Sequence, residues 1–204
     1  MSIFRRRLMM GQGERELPYD AEVEFLQNVG SSYILTDYIP NGSGIKFQGK
    51  FHLDGYSAAY AGWFGAYRGE SYSAYRVFRG NTDNTKLYFT CGTQASKSGV
   101  LSGAALDTTY EFELTSTTLK VNSLSRTYSP INGSRNTDKL KIFTFNGKGF
   151  TYGKLYYLKV FNGNSLVFDF IPVRVREVGC LYDKVGERLY FNEGSGDFLI
   201  GGDI

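Results

Sequence analysis

Two pairs of glutamates have the spacing of a carboxylate pair on one face of a β-strand. These pairs are Glu22 with Glu24 and Glu111 with Glu113. Retaining glycoside hydrolysis needs two carboxyl groups about 5–5.5 Å apart, so each pair is a candidate by geometry. Both pairs alternate with apolar residues, however, which is the pattern of a strand with one solvated face. We therefore expect no catalytic residues and predict that the chain is not an enzyme.

The sequence contains one histidine, which limits the catalytic and metal sites that it could form. His52 is the only histidine, and it shares its predicted strand face with Lys46 and Lys50. This excludes a histidine-rich zinc site and argues against a serine–histidine triad. The pair Gly11 and Gly13 is too short to be a phosphate-binding motif.

One turn carries several oxygen ligands, at Asn81, Asp83 and Asn84. Calcium prefers six to eight oxygens, whereas Asn and Asp in turns commonly hydrogen-bond their own backbone. We therefore predict no metal and no cofactor, although a structural calcium ion at this turn is compatible with the residues.

The aromatic-rich stretch from Tyr56 to Arg79 is the strongest candidate for binding. Aromatic faces stack on sugar C–H surfaces, while arginine and carboxylate groups bind hydroxyls, so the composition suits a glycan site or a protein interface. The alternation in residues 60–67 equally allows either face to be core, and for Trp63 we favour core. The loop Gly65–Arg76 is the more exposed candidate. The candidate glycan-binding residues are Trp63, Tyr67, Arg68, Tyr72, Tyr75 and Arg76.

The amino-acid composition limits the fold classes and the kinds of partner that are possible. The 204 residues include 25 Gly, 16 Tyr and 16 Phe but only 4 Pro, a profile that favours sheet and turns. Three of the 23 basic residues are Arg5–Arg7, and the 20 that remain equal the 20 acidic residues. The body therefore lacks the positive excess of duplex-binding proteins, and we predict no nucleic-acid partner. The two cysteines are expected to be reduced.

Periodicity predicts the strands. Alternation in Gly44–Asp54 indicates a half-buried strand, and Tyr110–Val121 reads as a hairpin. Lys154–Val173 reads as a second hairpin around Asn162-Gly163, central in its sheet because its arms are apolar on both faces. Roughly eleven to thirteen strands predict an all-β, two-sheet antiparallel sandwich. Only Pro18–Asn28 is predicted to form a helical turn or two.

The order of motifs from residue 22 to residue 202 resembles a known family. The motifs are VEFLQNVGSSYILTDYIP, WFGAY, TTYEFELTSTTLKVN, GKLYYLKVFNGNSLVFDFIPVRV and GCLYDKVGERLYFNEGSGDFLIGG. They resemble the laminin-G-like, concanavalin-A-like jelly-roll lectin domains of gut bacteria and their phages. The resemblance implies a jelly-roll sandwich used in adhesion or carbohydrate binding. Hydrolases with the same sandwich carry a Glu-x-Asp-x-x-Glu strand, and this sequence has none.

The first twenty residues differ from the body. Residues 1–20 are expected to be an anchoring peptide and connector, and residues 21–204 the sandwich. No apolar run is long enough for an export signal or a membrane helix, so we predict no membrane insertion. Arg5–Arg7 suit bidentate contacts with carboxylates. The candidate partner-docking residues are Phe4, Arg5, Arg6, Arg7, Leu8, Met9 and Met10.

The lead-in FRRRLMM…LPYDAEVEFL also resembles the start of phage structural proteins. It implies a non-catalytic fibre or decoration subunit at the virion surface, a homo-oligomer bound to other virion proteins through residues 1–20 and displaying a glycan-binding sandwich. The alternative is a carbohydrate-binding module of the bacterial cell surface or extracellular space. A glycoside hydrolase is the third and least favoured hypothesis, because the sequence has no suitable carboxylate pair.

The absence of a catalytic pair gives a first prediction. We expect the protein to release no reducing sugar from a panel of polysaccharides, and the double variant Glu111→Gln/Glu113→Gln to be indistinguishable from wild type. Release of reducing sugar by the wild type that the double variant abolishes would contradict this prediction.

Overall fold

The protein is described by a computed structural model that covers residues 16–80, 83, 85–129 and 132–204. These residues form seventeen strands and one short 3₁₀ helix, Ala95–Lys97. The first eight strands are β1 (Ala21–Glu22), β2 (Leu26–Asn28), β3 (Ile34–Leu35), β4 (Ile45–Tyr56), β5 (Gly62–Ala66), β6 (Ser73–Arg79), β7 (Lys86–Gln94) and β8 (Gly99–Ser102). The next nine are β9 (Thr108–Leu114), β10 (Thr118–Val121), β11 (Leu124–Thr127), β12 (Lys141–Ile142), β13 (Thr151–Asn162), β14 (Ser165–Val175), β15 (Val178–Asp183), β16 (Arg188–Tyr190) and β17 (Leu199–Ile200).

The strands form two antiparallel sheets packed face to face. The larger sheet has the order β11-β10-β9-β4-β13-β14-β15-β16, with β1 beside β14 and β2 beside both β13 and β17. The smaller sheet has the order β3-β12-β5-β6-β7-β8. The predicted all-β, two-sheet sandwich is therefore confirmed, and its arrangement is jelly-roll-like.

The strands with regular alternation were predicted correctly. In β4 every second residue from Ile45 to Leu53 is buried, as the period of two requires. The hairpin β9–β10 pairs Leu114 with Leu119. The long hairpin β13–β14 closes through Gly163, whose φ of +58° is a conformation that glycine adopts without strain. Strand β13 lies between β4 and β14, as its apolar arms predicted.

The prediction of helical turns in Pro18–Asn28 was wrong. This stretch forms β1 and β2, which pair with β14 and β13. Strands of two or three residues have no periodicity of their own. Their conformation is imposed by the edges that they pair with.

The core between the sheets is aromatic. Trp63 on β5 stacks on Phe51 of β4, with 5.3 Å between ring centroids, and on Tyr110 of β9 at 5.6 Å. The edge of Phe112 completes the contact. One side chain of the smaller sheet thus packs against two strands of the larger one. Trp63 is fully buried.

The two cysteines are free thiols in separate hydrophobic clusters. Cys91 lies in the core between the sheets, and Cys180 lies on the outer face of the larger sheet. Burial raises the pKa of both thiols. Each therefore packs as a small apolar side chain.

The placement of Trp63 gives a stability prediction. Trp63→Ala removes a ring that packs against three others, so we expect the free energy of unfolding to fall by about 3–5 kcal/mol. Tyr72→Ala, a partly exposed ring in the nearby loop, should cost about 1 kcal/mol or less. Urea denaturation followed by far-UV circular dichroism measures both. Equal, small losses for the two variants would contradict the core position of Trp63.

Candidate functional site

A cleft with a volume of about 540 Å³ opens on the outer face of the smaller sheet. Along β6, Tyr75 and Val77 point into the core, while Arg76 and Phe78 point outward and form the cleft floor. Aromatic side chains form its walls, and polar side chains form its rim. The lining residues that the argument uses are Tyr60, Tyr67, Glu70, Tyr88, Phe145 and Asn146.

Two glycines of β5 make room for the cleft wall. A Cβ atom on Gly65 would lie 2.6 Å from the Cβ atoms of Arg76 and Phe145, and one on Gly62 would lie 2.7 Å from the ring of Phe145. These separations are far below van der Waals contact. The bare backbone of β5 therefore lets Phe145 lie flat over the sheet beside Arg76.

A hydrogen-bonded loop holds Phe145 in place. The amide of Phe143 donates to the carbonyl of Trp63 at 2.7 Å, which attaches this loop to β5. Asn146 Oδ1 accepts hydrogen bonds from the backbone amides of Lys148 and Gly149, which close the turn that follows. The side-chain nitrogen of Asn146 has no partner among the described residues and remains a donor at the cleft rim.

Arg76 is a buried cation under this cleft. The side chain is only 4% exposed, and its guanidinium packs 4.2–4.8 Å from the ring centroids of Tyr67, Phe78 and Phe145. Nη2 donates to the carbonyl of Ala95 at 3.2 Å, and the buried Nε has no partner within the described ranges of the chain. Burial lowers the pKa of Arg76 to about 10, so it stays charged at neutral pH.

The charge of Arg76 is balanced only at longer range. Within the described part of the chain, no carboxylate lies within the 4.0 Å of an ion pair with Arg76. Glu70 instead accepts a hydrogen bond of 2.6 Å from the Tyr67 hydroxyl. Burial and this bond raise the pKa of Tyr67. The cleft thus combines aromatic faces with a carboxylate, a guanidinium and an amide.

The six sequence-predicted glycan residues separate into three groups. Trp63 and Tyr75 are fully buried in the core. Neither ring is exposed, so both are withdrawn as glycan contacts. For Trp63 this is the core position that the sequence favoured, whereas Tyr75 is a correction, and its hydroxyl donates to the carbonyl of Gly42. Tyr67 and Arg76 line the cleft. Arg68 and Tyr72 lie outside it and stack on each other at 4.5 Å.

A second groove adjoins the cleft, and Tyr67 and Asn146 line both. The groove has a volume of about 540 Å³ and is lined mostly by side chains with polar or charged ends. Arg68 donates to the Thr137 hydroxyl on one side, and the Lys141–Asp138 ion pair of 2.8 Å lies on the other. The two depressions are therefore neighbours that share part of their lining.

The glutamate pairs lie on the outer face of the larger sheet, as the alternation predicted. Glu113 accepts a hydrogen bond from Gln48 at 2.7 Å, and Glu22 accepts one from Tyr19 at 3.1 Å. Glu24 and Glu111 are exposed. None of these four carboxylates borders the cleft.

The Asn- and Asp-rich turn is described only at Asp83, since Asn81 and Asn84 lie outside the described residues. Asp83 accepts hydrogen bonds from the amide and hydroxyl of Thr85, and Lys86 pairs with it at 2.9 Å. These contacts, led by the Thr85 hydroxyl, lower the pKa of Asp83. The turn's own groups therefore engage both oxygens of this carboxylate.

The predicted docking residues Phe4 to Met10 also lie outside the described residues. The described chain starts on the larger sheet, where Tyr19 packs on Tyr182 with 4.9 Å between ring centroids. This contact is on the outer face of that sheet, so the described start of the chain and the cleft lie on opposite sides of the sandwich. Among the described residues no helix has the length and apolarity to cross a membrane.

Comparison with known proteins assigns no family. No family model matches the chain, and no curated protein matches it significantly. The site must therefore be interpreted from its own geometry.

Sequence reasoning missed Tyr88, Phe145 and Asn146. They come from β7 and from the loop before β13, far from the aromatic stretch. The glycines at positions 62 and 65 were the available signal, because a strand with bare outward positions leaves room for a side chain from elsewhere.

Proposed function

We propose that this protein is a non-catalytic recognition domain that binds a glycan in the cleft over Arg76. The observation that carries the proposal is the combination of exposed tyrosine faces with a buried arginine in one concave site. Binding pockets typically have this composition, with apolar walls and a few placed polar groups. The adjoining groove beside Tyr67 suits an oligosaccharide rather than a single sugar.

The chemistry of the walls supports a sugar ligand. Tyr60 is 52% exposed, and Tyr67 and Tyr88 are partly exposed, so each presents ring area to the cleft. Such faces stack on the C–H surfaces of a pyranose. The free oxygen of Glu70 and the free nitrogen of Asn146 supply an acceptor and a donor for hydroxyl groups.

The absence of a carboxylate pair supports recognition without hydrolysis. Among the described residues that line the cleft, Glu70 is the only acidic one, and Asp138 in the adjoining groove is paired with Lys141. A retaining or inverting mechanism uses two carboxyl groups. We therefore propose that the protein releases a bound glycan without cleaving its glycosidic bonds.

We also propose that the domain is displayed on a virion, with residues 1–20 attached to a structural partner. The proposal draws on the sequence resemblance of the lead-in and on the composition of Phe4–Met10. The geometry is compatible with it, because a partner bound near the start of the described chain would leave the cleft facing outward. The bacterial surface module is the alternative location for the same cleft.

The cleft gives a binding prediction. Tyr88→Ala and Tyr67→Ala should each weaken binding of the best glycan on an array by about fivefold, since a stacked ring contributes on the order of 1 kcal/mol. Isothermal titration calorimetry measures the dissociation constants, and thermal denaturation confirms that both variants fold.

Tyr72→Ala is the matched control, because Tyr72 belongs to the same aromatic stretch but lies outside the cleft. Because Tyr72 contacts the adjoining groove only by stacking on Arg68, we expect a much smaller loss of affinity than in the two cleft variants. Loss of binding in Tyr72→Ala alone would place the site in the loop instead. No binding of wild type to any glycan on the array would contradict the proposed function.

The attachment of the domain is tested by deleting residues 2–12. We expect the sandwich to keep its thermal stability but to lose assembly into its particle or oligomer. Replacing Arg5, Arg6 and Arg7 by lysine keeps the charge but removes the bidentate geometry, so assembly should also weaken. Normal assembly of the truncated protein, or a monomeric wild type, would contradict the proposed attachment.

A further inference from the structure

The single histidine lies in a cluster with two aspartates at one end of the larger sheet. His52 and Asp54 are two residues apart on β4 and therefore share its outer face. Asp107 directly precedes β9, and the register that pairs Leu53 with Thr108 brings it beside them. The amide of Asp107 donates to the carbonyl of Leu53 at 2.7 Å, which fixes this approach.

The three side chains of the cluster are close enough to share one metal ion. His52 Nε2 lies 3.0 Å from Asp54 Oδ1 and 3.4 Å from Asp107 Oδ1. One atom from each of the three side chains lies within 4.8 Å of the others. Zinc bonds of about 2.0–2.2 Å imply ligand separations of about 3.3–3.6 Å in a tetrahedron. Small side-chain rotations therefore suffice to place an ion between them.

Two neighbours orient the ligand atoms. Thr109 Oγ1 lies 2.9 Å from His52 Nδ1, which leaves Nε2 turned toward the carboxylates. Gln27 donates to Asp54 Oδ2 at 2.9 Å, which leaves Oδ1 for the ion. Metal-binding histidines and carboxylates commonly have such outer partners, which fix ring orientation and tautomer.

Among the described residues, His52 is the only basic side chain paired with the two carboxylates. Throughout the described residues, no lysine or arginine nitrogen lies within 4.0 Å of the Asp54 or Asp107 carboxylates. A metal ion bound at the imidazole would place positive charge beside the two carboxylates. The Asp107 side chain is 97% exposed, so solvent can supply the remaining ligand.

We propose that His52 Nε2, Asp54 and Asp107 bind one divalent transition-metal ion of the zinc class. The imidazole ligand favours such an ion over calcium, which takes six to eight oxygens. The ion would join the end of β4 to the loop before β9 and stabilise this edge of the sandwich. The site is on the opposite sheet from the cleft, so this proposal is independent of glycan binding.

The experiment uses protein purified without a polyhistidine tag and stripped with a chelator. We expect calorimetry with zinc chloride to give one site per chain and thermal denaturation to give a higher melting temperature with zinc. His52→Gln and Asp107→Asn should abolish both effects. Glu111→Gln, an exposed carboxylate on the same sheet, is the control and should bind zinc like wild type.

A spectroscopic readout tests the geometry directly. Because His52 is the only histidine, its imidazole protons give the only histidine signals in a proton NMR spectrum, and zinc should shift them. Thr109→Val should weaken zinc binding about tenfold or more while the protein stays folded. Failure of the wild type to bind zinc, or equal zinc binding by His52→Gln, would overturn the proposal.

Discussion

The stacking of Trp63 between Phe51 and Tyr110 is the contact on which the rest of this structure depends. It joins β5 of the smaller sheet to β4 and β9 of the larger one. A bulge at Trp63 turns both Trp63 and Phe64 toward the core. The opposite face of the same strand carries the bare positions Gly62 and Gly65. The five residues of β5 therefore contribute an aromatic ring to the core on one side and leave space for a surface cleft on the other.

The cleft gains its chemistry from a residue that is costly to bury. A guanidinium removed from water needs compensation, and Arg76 receives it from three aromatic rings and one carbonyl. Its Nε still lacks a partner in the part of the chain that the structure describes. A ligand with hydroxyl or anionic groups would add compensation that the protein itself leaves incomplete, which is the physical reason for assigning recognition to this face.

The sequence predicted the regular strands well, because the alternation of buried and exposed residues can be seen within each strand's own sequence. It favoured the core for Trp63 but not for Tyr75, since both faces of β5 are buried and bulges interrupt its pairing and that of β6. Tyr67 and Arg76 were found because aromatic and charged residues cluster there. Tyr88 and Phe145 were not found, because only the sheet order brings them to the cleft. The same holds for Asp107, whose approach to His52 depends on the pairing of β4 with β9.

The central claim, that the outer face of the smaller sheet is the recognition surface, is tested most directly by a nitrogen–proton correlation NMR spectrum recorded with and without a bound oligosaccharide. The Nε–H signal of Arg76 and the side-chain amide of Asn146 report on the cleft, and the indole of Trp63 reports on the core. We predict shifts at Arg76, Asn146 and the amides around Ser96, with the larger sheet unchanged. Shifts confined to the larger sheet would contradict the account.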